Sequence, residues 1–246
     1  MFRKILQPFY TAYVFITFLV SILTAFPFFV LISLGNNTAA RKAIYTIIKV
    51  WTKGWLWAIG MPLKKLGPPP APGRYIVVAN HISYLDPLVL FPAIPGYFRP
   101  LGKKETSKIP VVGFIYKQVT IMVDRSSLHS RARSMRLLWK ILRNEGSIVI
   151  FPEGTFNETP EPLKDFYDGA FRLALNTHAP ILPMIFPDTV HRWHYSAWWK
   201  FWPGRNRVVY MHPVDTTGLT ISDLPALKQK IYSLMEAELI KYTTRA

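Results

Sequence analysis

Apolar residues are arranged along this chain in three patterns, and each predicts a different kind of element. From Ile5 through Ala40 no side chain is charged, and residues 9–34 are almost wholly apolar. That run is longer than the roughly 20 residues that cross a bilayer as a helix. It lacks the shorter apolar core and the small-residue cleavage site of a secretory leader. Pro27 interrupts it, and Arg3, Lys4, Arg41 and Lys42 flank both ends, so no positive-side asymmetry sets an orientation. A tilted span and a broken, re-entrant helix with both ends on one face fit this pattern equally. Between residues 41 and 59 the chain turns amphipathic. Lys42, Lys49 and Lys53 recur at helical spacing on one side, with Ile44, Ile47, Ile48, Trp51 and Trp55 largely on the other. The tryptophans predict a helix lying in the lipid interface, the alternative being a helix packed on the domain that follows.

The third pattern begins after Gly67-Pro68-Pro69-Pro70-Ala71-Pro72-Gly73, which breaks regular structure and reads as a stiff linker. Beyond it, short apolar runs rich in β-branched residues alternate with helical periodicity. Strands are expected near 75–79, 119–123, 147–151, 181–186 and 207–211. Helices are expected at 84–93, 107–117, 128–144, 168–177 and 223–242. The organisation that follows is membrane-anchoring helices over 1–66, a linker at 67–73, and one α/β domain over 74–246 with a mixed central sheet flanked by helices.

Composition narrows the class. The 246 residues are half hydrophobic and 15% aromatic, and 30 Lys and Arg against 14 Asp and Glu give a formal charge of +16. Such an excess suits anionic lipid, an acidic carrier protein or nucleic acid. The aromatic content and positive mean hydropathy favour the membrane over a membrane-tethered nucleic-acid-binding protein. Zero cysteines exclude disulfides and thiolate chemistry. His191 and His194 lie three apart, but no third ligand accompanies them, so no metal site is expected. The cluster Trp193, Tyr195, Trp198, Trp199, Phe201 and Trp202, with basic residues around it, suits the bilayer interface. It suits packing on the N-terminal segment as well.

Candidate chemistry sits at the ends of two predicted strands. Asn80-His81-Ile82-Ser83-Tyr84-Leu85-Asp86 follows the run 75–79, and Phe151-Pro152-Glu153-Gly154-Thr155 follows the run 147–150. A neutral imidazole at His81 can take a proton from an alcohol if Asp86 holds its other nitrogen. Ser83-x-x-Asp86 also has the spacing of a capping box. On these seven residues alone both readings of Asp86 stand.

Together the two stretches resemble the glycerolipid acyltransferases, in particular the lysophosphatidic acid acyltransferase family. The likeness extends through Lys103-Lys104-Glu105, Ile109-Pro110, Gly113, Ile121-Met122-Val123-Asp124-Arg125 and Phe166-x-x-Gly169-Ala170 to Ala179-Pro180-Ile181-Leu182-Pro183, roughly residues 74 to 186. It implies that His81 is the general base and Asp86 its orienting acid. It implies that Asn80, Ser83, Lys103, Arg125, Glu153, Gly154 and Thr155 serve substrate binding, with Lys103 and Arg125 on the acceptor phosphate. The donor would be acyl-CoA or acyl-ACP as co-substrate, with no cofactor and no metal. The partners would be membrane lipids and a lysophospholipid acceptor, with no nucleic acid, and the domain would lie on the cytoplasmic face. One departure stands out: the family usually continues Glu-Gly-Thr-Arg, and this chain has Phe156. A ring cannot make the bidentate contact of a guanidinium with phosphate. Arg125, Lys103, Lys164 or Arg172 then takes that load, or the acceptor is another monoacylated lipid, such as a lyso-amino-acid lipid.

Overall fold

The computed structural model describes residues 2–122 and 128–243. Helix α1 spans Phe2–Ser33 and α2 spans Thr38–Ala58. In order there follow β1 (Leu63–Leu66), β2 (Ile76–Ala79), α3 (Asp86–Ala93), β3 (Phe98–Gly102), a 3₁₀ turn (Lys104–Lys108), α4 (Val112–Val119) and β4 (Ile121–Met122). Then come α5 (Leu128–Asn144), β5 (Ser147–Ile150), α6 (Gly169–Thr177), β6 (Ile181–Ile185), α7 (Thr189–Arg192), β7 (Asn206–Tyr210) and α8 (Leu224–Thr243). Among the described residues the strands form one sheet in the order β1-β7-β6-β2-β5-β3-β4. It is mixed: β6 and β7 pair antiparallel, and every other neighbouring pair is parallel.

The central strands are buried throughout because helices cover both faces. Side-chain alternation divides them. Val77, Ala79, Val149 and Leu182 point into a core shared with α1 to α4, and Ile76, Val78, Ile148 and Ile181 into one shared with α5, α6 and α8. β2 and β5 lie side by side and parallel, with Val78 opposite Ile150. Their carboxyl ends therefore meet, although the two motifs are some seventy residues apart in sequence.

Three expectations need correction. The stiff linker does not close off a domain. β1 precedes it and pairs with β7, so residues 67–73 join two strands of one sheet. Leu-Lys-Lys-Leu carries its two lysines outward on an edge, which hides the strand from a periodicity reading. β3 was hidden by Arg99, Pro100 and Gly102; Arg99 is buried there, donating to the Thr120 carbonyl and paired with Glu145. The segment expected as one helix over 107–117 is the 3₁₀ turn followed by α4.

The N-terminal elements also differ. α1 is a single helix that runs through Pro8 and Pro27. It folds back on α2 as an antiparallel hairpin: the Tyr13 hydroxyl donates to the Ala58 carbonyl, and Phe18 packs edge-on against Trp51 and Trp55. Val14, Ile22 and Phe29 are buried, whereas Phe9, Ile16, Val20 and Leu31 on the opposite side are exposed. α2 does not present its apolar side outward as an interface helix would. Ile44, Ile48, Trp55 and Leu56 lie in the protein core, and Lys49 donates to the Ile94 carbonyl.

Gly67 marks the tightest approach in this part of the sheet. Its φ is +80°, and a Cβ there would sit 2.1 Å from the Tyr210 carbonyl oxygen. Gly67→Ala is therefore expected to push β1 from β7 and to cost at least about 1–2 kcal/mol. A melting temperature unchanged within a degree would show that this edge yields freely.

Candidate active site

The base sits on a turn anchored at three points. Asn80, fully buried, donates from its amide to the Phe186 carbonyl at 3.2 Å and accepts from the Phe186 N–H at 2.7 Å. It thus clips the end of β2 to the end of β6. The His81 N–H donates to Glu153 Oε1 at 2.8 Å, and the His81 carbonyl accepts from the Asn157 N–H at 2.8 Å. The position of the imidazole is therefore set from β6 and from the segment around Glu153 and Asn157 as well as from its own strand.

Asp86, at the first position of α3, is completely buried. Its Oδ2 lies 2.9 Å from His81 Nδ1 and accepts the N–H groups of Ile82 and Ser83, both at 2.8 Å. One oxygen therefore serves both functions legible in the sequence. It closes the turn as a capping acid does, and it orients the imidazole. With Asp86 ionised, Nδ1 carries the ring proton and Nε2 is left as the acceptor. Phe151 stacks on the imidazole at 4.1 Å between ring centres, and Phe156 tilts against it at 4.4 Å.

His81 lines a cavity of about 1120 Å³. Phe18, Ile22, Trp51 and Trp55 of the hairpin and Ile115 and Val119 of α4 form its apolar part. Lys103, Gly154, Thr155 and Phe156 stand at the polar part. Such a space, apolar over most of its wall and with His81 on its lining, has room for an alkyl chain beside the base.

The residues expected to bind substrate divide into two groups. Lys103, Gly154 and Thr155 line the cavity. Asn80, Ser83 and Glu153 do not. Each is fully buried and engaged elsewhere, Ser83 through its hydroxyl with the Trp193 carbonyl and the Leu85 N–H. Arg125 lies outside the described residues. Sequence reading passed over Tyr84, Phe151 and Trp193, which wall the cavity around His81. The aromatic cluster divides as well: Phe201 is buried against Phe15 of α1, while Trp198 and Trp199 are exposed.

Glu153 is the most perturbed acid near the site. Its second oxygen accepts the Lys164 N–H at 2.9 Å. Burial pushes its carboxyl up to about 7, against the opposite pull of its two N–H donors. Gly154 follows with φ +74°, and a Cβ there would meet the Tyr167 ring at 2.8 Å, so the turn that carries Thr155 to the cavity requires glycine.

These features coincide with a known family. Residues 65–187, half of the chain, match the family model described as Acyltransferase. The chain belongs to the acyltransferase family. It is 28% identical over 181 residues to a 1-acyl-sn-glycerol-3-phosphate acyltransferase of Limnanthes douglasii, covering 73% of this chain and 64% of that protein. It is 31% identical over 166 residues to the alpha form of Homo sapiens, covering 67% and 57%. The chain thus spans less than two thirds of the length of these two relatives. A 1-acyl-sn-glycerol-3-phosphate acyltransferase of Borreliella burgdorferi is 28% identical over 200 residues, or 80% and 78% of the two chains. The crystal structure of the 1-acyl-sn-glycerophosphate (LPA) acyltransferase PlsC from Thermotoga maritima superposes over 99% of both chains with a TM-score of 0.78 at 24% identity. That places both the acyltransferase domain and the N-terminal hairpin in a fold already seen.

A carboxyl raised in the folded state contributes stability while protonated. For Glu153 that contribution is complete below its ordinary value near 4.5 and is lost as pH rises through about 7. Compared with Glu153→Gln, the wild-type protein should lose melting temperature between about pH 4.5 and pH 7, at about 1.4 kcal/mol for each unit separating the two pKa values. A difference between the two proteins that stays constant across that range would place the carboxyl at its ordinary value.

Proposed function

We propose that this protein is a membrane-attached O-acyltransferase. It would move a fatty acyl group from acyl-CoA or acyl-ACP to the free hydroxyl of lysophosphatidic acid, giving phosphatidic acid for phospholipid synthesis. The observation that carries this reading is the His81 Nδ1 to Asp86 Oδ2 contact at the wall of an apolar cavity. The names of the relatives support the choice of acceptor.

In this mechanism Nε2 of His81 removes the proton of the acceptor hydroxyl as its oxygen attacks the thioester carbonyl carbon. Asp86 stabilises the imidazolium that forms. The tetrahedral intermediate collapses, the C–S bond breaks, and the departing thiolate takes the proton from His81. The thioester supplies the leaving group, so neither an acyl-enzyme nor a cofactor is needed. Lys103, with Arg125, would face the acceptor phosphate. Phe156, packed on His81 where the family has arginine, favours one second reading, in which the acceptor is a different monoacylated lipid such as a lyso-amino-acid lipid.

For attachment, α1 contacts the rest of the protein along its length, from Phe15 on Phe201 to Phe26 on Phe114. A helix covered on one side by a basic domain cannot pass through the bilayer with that side bare. The reading it supports is a hairpin immersed by its outer face, with the domain on the cytoplasmic surface and Trp198 and Trp199 at the headgroups. A tag at residue 1 should then be open to protease from the side on which the domain lies, and protection of the tag would restore the spanning alternative.

Purified protein in detergent, offered a panel of lyso-lipids with both thioesters and read by product mass, tests the chemistry. His81→Ala should fold normally and lose transfer by roughly 10²- to 10⁴-fold, with Asp86→Asn losing at least 10²-fold. A folded His81→Ala protein with near-normal turnover would falsify the mechanism. Asp86→Asn that lowers only the melting temperature would leave the carboxylate as a cap alone.

A further inference from the structure

The family arginine that follows Gly154-Thr155 is absent, and its place is filled by a ring packed on the base. A cation nevertheless stands beside the stretch 151–155. Lys164, nine residues beyond Thr155, donates from its ammonium to Thr155 Oγ1 at 2.9 Å, and Thr155 lines the cavity. The backbone of Lys164 is fixed in turn, because its N–H donates to Glu153 Oε2 while Glu153 Oε1 holds the His81 N–H. A single buried carboxylate thus ties the segment bearing the cation to the segment bearing the base.

We propose that Lys164 is the acceptor-phosphate ligand that replaces the missing arginine, with the Thr155 hydroxyl beside it. This assignment rests on the acyl-transfer reading above. Among the described residues the ammonium meets a hydroxyl and forms no ion pair, and two of its three donors are available to phosphate oxygens. Arg172 is less suited to the task. It is paired with Asp168, which also takes Lys228 at 2.8 Å on the α6–α8 side of the sheet. Lys103 stands at the end of β3 and acts from a different strand, so it supplements a ligand at Thr155 without substituting for it.

An ammonium is a compact point charge without the planar fork of a guanidinium. It confers charge recognition with less demand on the orientation of the phosphate. The base and the phosphate ligand are held by opposite oxygens of Glu153, so the spacing from headgroup to reacting hydroxyl is set inside the protein. It does not depend on a loop arginine finding its place when the acceptor arrives.

The test uses the full chain in detergent with lysophosphatidic acid as acceptor. Lys164→Met should raise the KM for lysophosphatidic acid about ten-fold or more, the range expected for loss of a charge-assisted hydrogen bond. kcat and the KM for the thioester should change less than about two-fold. Lys164→Arg should return the acceptor KM to within about three-fold of the wild type, which a merely structural contact with Thr155 would not require. Should Lys164→Met fold poorly, Lys164→Gln reads the same quantities with a polar head in place. An acceptor KM within two-fold of the wild type in the folded variant, while His81→Ala remains inactive, would overturn the role of Lys164 and leave the acyl-transfer reading standing. Equal rises in both KM values would assign Lys164 to structure and overturn the proposal in the same way. A wild-type protein inactive on lysophosphatidic acid, or an active His81→Ala protein, would instead remove the reading on which the proposal rests.

Discussion

The carboxylate of Glu153 is the constraint on which this site turns. It has no exposed surface, and its two oxygens reach in opposite directions, to the backbone of His81 and to the backbone of Lys164. A group in that position cannot face a substrate. It is also difficult to replace, because removing it would leave two N–H donors unpaired in the interior, where each costs about 1–3 kcal/mol. Burial drives its proton affinity up, and the donors hold it down. The site therefore depends on a group balanced between two states.

The sheet makes this arrangement possible. β2, β3, β4 and β5 run parallel, so their carboxyl ends share one edge. His81, Lys103 and Glu153 leave from three of those ends. Chemistry assembled at such an edge draws each residue from a different strand. This is why the motifs are dispersed in sequence and convergent in space. Asn80 extends the same logic across to β6, matching both polar groups of one peptide backbone with a single amide.

Much of this was legible beforehand, and the reasons for success and failure are physical. The runs 75–79 and 147–150 announced buried parallel strands because nothing polar interrupts them. α5 kept its expected bounds, and α8 ran Leu224–Thr243 against an expected 223–242. β1 and β3 went unseen because a strand at an edge, or one that satisfies an arginine internally, need not look apolar. His81, Lys103, Gly154 and Thr155 come together on one cavity, but the tasks of the motif residues could not be separated from spacing alone. Whether Glu153 faces a ligand or the backbone depends on a turn made possible by Gly154, and whether Lys164 matters depends on where the eight residues between it and Thr155 fold. The amphipathic helix, expected in the lipid interface, turned its apolar side to the protein core instead, since an apolar stripe suits lipid and protein on equal terms.

The hairpin of α1 and α2 has a practical meaning for anyone handling this molecule. Segments like it are commonly treated as tethers, to be trimmed away so that the remaining domain can be studied in plain buffer. Here Phe18, Ile22, Trp51 and Trp55 wall the cavity that His81 lines, and Ile44, Ile48 and Leu56 belong to the interior of the domain itself. Trimming would leave a half-open container with a wet floor, retaining His81 and Asp86 but without the apolar wall beside them. The long apolar helix and the wall of the cavity are, in this chain, the same piece of architecture.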